Sequence, residues 1–143
     1  MKPLQILAAL SLLAATPAFA QQSPASTEQA WKYQAKRLAR ADVDALLAQP
    51  DKVTVLDVRR PDELTAKGGF PVYLNIQAKE VEKNLAYIPR DRVIVTVSNH
   101  AGRAGAVADL LAARGFNVAG ATGAEDYAAQ GGTVTRWHAP AKP

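Results

Sequence analysis

The sequence predicts an α/β domain with a central, mostly parallel sheet of about five strands and helices on both faces. Compact runs of β-branched residues, such as Val53–Asp57 and Val93–Ser98, recur along the chain. Segments with apolar residues at helical spacing lie between them. Strands and helices that alternate over such short distances favour parallel strands joined by helical crossovers.

Four of these strands and five helices can be assigned to segments of the sequence. The strands are predicted at 53–57, 72–76, 93–98 and 117–121, and the helices at 42–49, from Pro61 onward, at 81–88, at 104–116 and at 125–130. The third helix rests on Val81, Leu85 and Ile88, which recur at i, i+4 and i+7 before Pro89. The carboxyl ends of parallel strands are where ligands bind in such folds, so a site is expected there.

Composition divides the chain into four parts. Residues 1–20 hold Lys2, an uncharged apolar run and an Ala18-Phe19-Ala20 pattern, which together predict a signal peptide cleaved after Ala20. The protein is therefore expected to be periplasmic or secreted, with no membrane span after cleavage. Residues 21–35 are expected to form a flexible mature N-terminus, 36–132 the folded domain, and 133–143 a C-terminal tail.

Charge and cysteine content narrow the classes of function. Loss of Lys2 with the signal peptide would leave 16 basic and 13 acidic residues, an excess too small to indicate nucleic-acid binding. The local basic cluster is expected to be a solvated face; it comprises Lys32, Lys36, Arg37 and Arg40. With no cysteine and two histidines, the chain lacks disulfides and a thiol nucleophile, and no metal or other cofactor is expected.

The candidate site is the loop between the predicted strand 93–98 and the helix after it. Its six residues are Ser98, Asn99, His100, Ala101, Gly102 and Arg103. Unpaired backbone N–H groups at a helix N-terminus attract anions, and Arg103 would add a positive charge. Arg103 is expected either to bind an anion or to pair with Asp57 or with loop carbonyls. Asp57 and Arg59 are expected to support the loop, with Asp57 accepting hydrogen bonds from it.

Five landmarks between about residues 36 and 132 resemble those of the rhodanese-like family. They are 56–63, similar to D-V-R-x-P-x-E; 68–76, similar to G-H-I-P-G-A-x-N-I; 93–103, similar to a strand followed by C-x-x-x-x-R; 114–118, similar to G-F-x-N-V; and 123–131, similar to G-G-x-x-x-W-x-x-x-G. The resemblance implies the rhodanese fold of a single-domain sulfurtransferase.

In that family the first residue of the loop is a cysteine that carries sulfur as a persulfide, while the loop amides and the arginine hold the anionic donor. Ser98 occupies the matching position here. A serine has no appreciable alkoxide near neutral pH without a partner base, and oxygen does not form an exchangeable persulfide. Other landmarks also differ from the residues usual in that family: Gly69 stands in place of a histidine and Tyr127 in place of a tryptophan.

The resemblance and the missing cysteine together predict a non-catalytic binding module. It would hold a small oxyanion, or an acidic group of an unidentified protein partner, at residues 98–103. Two enzyme alternatives remain: a thiosulfate-type sulfurtransferase, as the family implies, and a hydrolase that uses Ser98 with His100 as its base.

Overall fold

The computed structural model describes residues 30–137 and shows a parallel four-stranded sheet with helices on both faces. The strands are β1 (Val53–Asp57), β2 (Leu74–Asn75), β3 (Val93–Ser98) and β4 (Val118–Gly123), in the order β2-β1-β3-β4. The helices are α1 (Arg40–Leu47), α2 (Pro61–Lys67), α3 (Gly102–Ala113) and α4 (Ala124–Ala129). The α/β class and the parallel sheet are therefore confirmed.

The central strands are buried on both faces, as their continuous apolar sequences predict. On one face Val55 and Val97 pack with α1, α4 and Phe70. On the other face Leu56 and Ile94 pack with α3. The carboxyl ends of β1 and β3 are thereby fixed side by side at one edge of the sheet.

The sheet has four strands where about five were expected, and within residues 30–137 the β4 edge carries one isolated parallel bridge, between Arg37 and Ala121. Leu38 donates its backbone N–H to Ala121 at 2.8 Å, and Ala121 donates to Lys36 at 2.9 Å. The chain turns into α1 at Arg40, so the pairing does not extend. The predicted strand at 72–76 is also shorter than expected: its pairing with β1 covers Leu74 and Asn75, opposite Leu56 and Asp57.

The helix predicted over 81–88 is wrong in type, because this segment forms two 3₁₀ helices, Ala78–Lys83 and Leu85–Tyr87. Asn84 separates them and donates its side-chain amide to the carbonyl of Glu80 at 2.8 Å. That bond occupies a carbonyl to which an α-helix would direct a backbone N–H. Val81 and Ile88 are nevertheless buried in one apolar cluster, so the spacing identified the correct face.

Residues 31–35, which we call the N-terminal strap, pack on α3 although they were expected to belong to a flexible segment. Asp109 accepts the backbone N–H groups of Gln34 at 3.0 Å and Ala35 at 2.7 Å. Trp31 lies against Gly105, where an added Cβ atom would be 2.7 Å from its ring. The packed unit accordingly begins at Trp31.

The residues after α4 are also attached to the domain. Thr135 and Gly69 exchange two backbone hydrogen bonds of 2.7 and 2.9 Å, and Trp137 packs edge-to-face on Tyr73. The predicted signal peptide, residues 21–29 of the predicted N-terminus and residues 138–143 of the tail lie outside the described residues. Within 30–137, no helix has the length and apolar character needed to cross a membrane.

The basic cluster noted in the sequence makes several interactions within the domain. Lys36 pairs with Asp42 at 2.9 Å, and Arg40 pairs with Asp44 at 3.3 Å. Arg37 lies 3.5 Å from Asp126 of α4, a residue that also accepts the backbone N–H of Ala101 in the candidate loop.

Candidate functional site

The loop of residues 98–103 lies at the carboxyl end of β3, as predicted. We refer to it as the β3–α3 loop. α3 begins at Gly102, with Ala101 as the residue before it. The loop is joined to the first turn of α4 by a 3.0 Å hydrogen bond from the backbone N–H of Glu125 to the carbonyl of Asn99. Gly123 permits this approach, because a Cβ atom there would lie 2.7 Å from the same carbonyl oxygen.

The Ser98 side chain is fully buried and both of its hydrogen-bonding functions are used. Its hydroxyl donates to the backbone carbonyl of His100 at 2.5 Å and accepts the backbone N–H of Ala104 at 3.0 Å. Ser98 therefore closes the loop onto the first turn of α3. A hydroxyl in this position holds the backbone together and does not face solvent.

The His100 imidazole makes its contacts with α4. Its side chain is 73% exposed, and its Nδ1 lies 2.7 Å from Oδ1 of Asp126 while Nε2 lies 3.3 Å from Oε2 of Glu125. The Ser98 hydroxyl is bonded to the backbone carbonyl of His100 and to the backbone N–H of Ala104, and not to the His100 ring. The structure thus provides no contact between the serine and the imidazole of the kind that a nucleophile and its base require.

Arg103 pairs with Glu63 of α2, and neither Asp57 nor a loop carbonyl is its hydrogen-bond partner within residues 30–137. Its two terminal nitrogens lie 2.7 and 2.9 Å from the two oxygens of Glu63, a bidentate geometry. The hydrogen bond to Arg103 is the main cause that lowers the pKa of the Glu63 carboxyl to about 2, and the same bond raises the pKa of Arg103. The partners expected for Arg103 in its structural role, Asp57 or the loop carbonyls, were therefore wrong, and anion binding by Arg103 stays a prediction.

Asp57 and Arg59 form a fully buried ion pair beneath the loop. Nη2 of Arg59 lies 2.7 Å from Oδ2 of Asp57, and Nε lies 3.0 Å from Oδ1. Asp57 was expected to accept hydrogen bonds from the loop, but its carboxylate binds the arginine two residues along the same chain segment. The arginine contacts the loop instead, through a 3.1 Å hydrogen bond from Nη1 to the side-chain oxygen of Asn99.

Asn99 connects this buried pair to the surface pair. Its oxygen accepts from Arg59, and its Nδ2 donates to Oε1 of Glu63 at 2.9 Å. Arg59 also donates to the carbonyl of Gly68 at 3.0 Å, which attaches the turn after α2. Asn99 is consequently held by two side chains from outside the loop, Arg59 after β1 and Glu63 in α2.

Two groups at this site were not identified as site residues from the sequence. Glu63 was recognised only as part of a family landmark, and Asp126 was not considered. Oδ2 of Asp126 accepts the backbone N–H of Ala101 at 3.4 Å. Acidic residues in the first turns of α2 and α4 were the available signal, since both helices begin at the edge of the sheet where the loop lies.

The first turn of α3 supplies the anion-binding potential of the loop. As the first two helical residues, Gly102 and Arg103 have backbone N–H groups with no carbonyl acceptor inside the helix. The space beside Gly102 is open, because an added Cβ atom would have no heavy atom within 4 Å. Within the described part of the chain, no group of three or more histidine, aspartate and glutamate side chains is placed to hold a metal ion.

The chain is similar in fold to several solved structures. A rhodanese-related protein from Thermoplasma volcanium is 27% identical, with a TM-score of 0.61 over 70% of this chain and 97% of that protein. A rhodanese-like domain protein from Staphylococcus aureus is 21% identical, with a TM-score of 0.55 over 62% of this chain and 86% of that one.

A thiosulfate sulfurtransferase from Pseudomonas aeruginosa is 24% identical, with a TM-score of 0.57; the match covers 71% of this chain and 20% of that enzyme. No protein-family model and no curated protein sequence matches the chain. The parallel sheet, the helices on its two faces and the likeness to these structures show that this chain has a rhodanese-like fold, and its sequence contains no cysteine.

Proposed function

We propose that this rhodanese-like domain is a non-catalytic binding module that acts after export and holds an anionic group at the β3–α3 loop. The ligand is a small oxyanion or an acidic side chain of a protein partner. The loop would bind it through the unpaired backbone N–H groups at the start of α3 and through the positive charge of Arg103.

The observation that carries the proposal is the burial and hydrogen bonding of Ser98. A sulfurtransferase needs a thiolate that faces the donor, and the chain has no cysteine. A serine nucleophile needs a base, whereas the Ser98 hydroxyl is bound to the His100 carbonyl and the Ala104 N–H. What remains at the loop is a set of donors around a group that performs no chemistry.

The experiment combines an activity assay with ligand binding on the mature protein. We expect no thiosulfate:cyanide turnover above buffer. We also expect sulfate and thiosulfate to raise the melting temperature, because a ligand that binds only the folded state stabilises it. The shift should disappear in Arg103→Ala and persist in Arg92→Ala, which removes the same charge before β3, at the opposite end of the strand.

Each alternative function predicts a different result. Turnover of thiosulfate would establish the sulfurtransferase alternative. Esterase or phosphatase activity that is lost in Ser98→Ala would establish the hydrolase. The absence of any shift with either oxyanion would refute the anion-binding module.

A further inference from the structure

Glu63 occupies the part of Arg103 that an oxyanion would use. An arginine binds a planar or tetrahedral oxyanion best through two parallel N–H donors. Both terminal nitrogens of Arg103 already bind the Glu63 carboxylate, at 2.7 and 2.9 Å. The Glu63 side chain is 13% exposed and that of Arg103 is 42% exposed, so the carboxylate lies on the inner side of the pair.

The Glu63 carboxylate is held at all four of its acceptor positions. Oε1 accepts from Arg103 and from the Asn99 amide at 2.9 Å, and Oε2 accepts from Arg103 and from the backbone N–H of Arg60 at 3.0 Å. A carboxylate has about four lone-pair positions, so this one has no vacant acceptor. Two of its four donors, the Asn99 amide and the Arg60 N–H, thus hold it independently of Arg103.

Asn99 is the group that links this arrangement to the loop. Because the side-chain oxygen of Asn99 is bound to the buried Arg59, the amide nitrogen of Asn99 must face Glu63. Arg59 is itself fully buried and bound to Asp57. The orientation of Asn99 therefore follows from the buried pair and directs Glu63 onto Arg103.

We propose that Glu63 is a built-in competitor for the anion site and that Asn99 is the positioning residue that keeps it there. This inference rests on the proposed binding function and adds what sets the affinity of that site. An incoming oxyanion binds the guanidinium only when it displaces Glu63. The native loop accordingly binds anions more weakly than its charge and its N–H donors would otherwise allow.

The test measures sulfate affinity by isothermal titration calorimetry for the parent, Glu63→Gln and Asn99→Ala. A glutamine keeps the size of the side chain and an acceptor for the Arg60 N–H but loses the charge. We expect Glu63→Gln to lower the Kd for sulfate at least about tenfold, within the usual range of coupling between two sites. Asn99→Ala should lower it by a smaller factor, because Glu63 loses one of its four donors.

The matched control is Asp62→Asn, which removes one negative charge from the adjacent residue. Asp62 is 69% exposed and pairs with Arg60. If Asp62→Asn and Glu63→Gln raise the affinity for sulfate equally, the effect is a general one of charge, and the inference is overturned. The double variant Glu63→Gln/Arg103→Ala must lose the increased affinity for sulfate if the substitution of Glu63 acts by releasing the Arg103 guanidinium. Circular dichroism of each variant verifies folding.

The outcomes separate this inference from the proposed function. If the parent binds sulfate and Glu63→Gln binds it no better, the competitor role of Glu63 is refuted while the proposed binding function stands. If the parent does not bind and Glu63→Gln does, the competitor is supported and the parent is not an oxyanion-binding module. If no variant binds sulfate, both are refuted.

Discussion

Removal of Asp57 is expected to destabilise the domain more than the loss of a surface carboxylate. The Arg59 side chain has no solvent exposure, and that of Asp57 is 1% exposed. In Asp57→Ala, Arg59 keeps two neutral acceptors, the carbonyl of Gly68 and the side-chain oxygen of Asn99, but loses its counter-charge. The removal of one partner from a buried ion pair costs about 3–5 kcal/mol.

That cost is a large part of the roughly 5–15 kcal/mol by which a domain is usually stable. Urea denaturation followed by circular dichroism measures it directly. In Asp57→Leu/Arg59→Met no charge is left buried, so part of the lost stability should return. Recovery should be incomplete, since Gly68 and Asn99 each lose a donor. A loss below about 1 kcal/mol in Asp57→Ala would refute the reasoning about the buried pair.

Three further predictions concern the loop and the strap. Ser98→Ala should lower stability by about 1–3 kcal/mol in urea denaturation, because the buried N–H of Ala104 loses its acceptor and the carbonyl of His100 loses its donor. Because the fold lowers the pKa of Glu63 from 4.5 to about 2, its contribution to stability is complete above pH 4.5 and is lost as the pH falls toward 2. Glu63→Gln should make the urea midpoint less dependent on pH across this window. If the midpoint changes with pH as steeply as in the parent, this pH dependence does not come from Glu63. Gly105→Ala should cost about 1–3 kcal/mol by forcing the rings of Tyr33 and Trp31 aside, whereas Gly102→Ala, with open space around it, should show no such loss in thermal denaturation.

The sheet and its helices could be predicted because their signals are local. The runs at Val53–Asp57 and Val93–Ser98 are apolar on both faces, and only a central parallel strand buries both. The segment at 81–88 shows the limit of such signals. Apolar spacing identifies which side chains face the core, but the type of helix depended on Asn84 binding a nearby carbonyl.

The contacts within the site could not be predicted because they join residues distant in sequence. Glu63 and Arg103 are 40 positions apart, and their pairing requires the edge of the sheet to be assembled. The strap depends on Asp109, 74 positions after Ala35. The orientation of Ser98 follows from the curl of the loop backbone, which its residue types alone do not specify.

The pairing of Glu63 with Arg103 also determines how an anion would find the loop. Opposite charges less than 3 Å apart nearly cancel at a distance, and the Debye length is only about 8 Å at physiological salt. A ligand is therefore not drawn to the loop by a long-range field and meets its donors only on close approach. Association rate constants should accordingly change little with ionic strength, unlike those of sites that steer ligands by net charge.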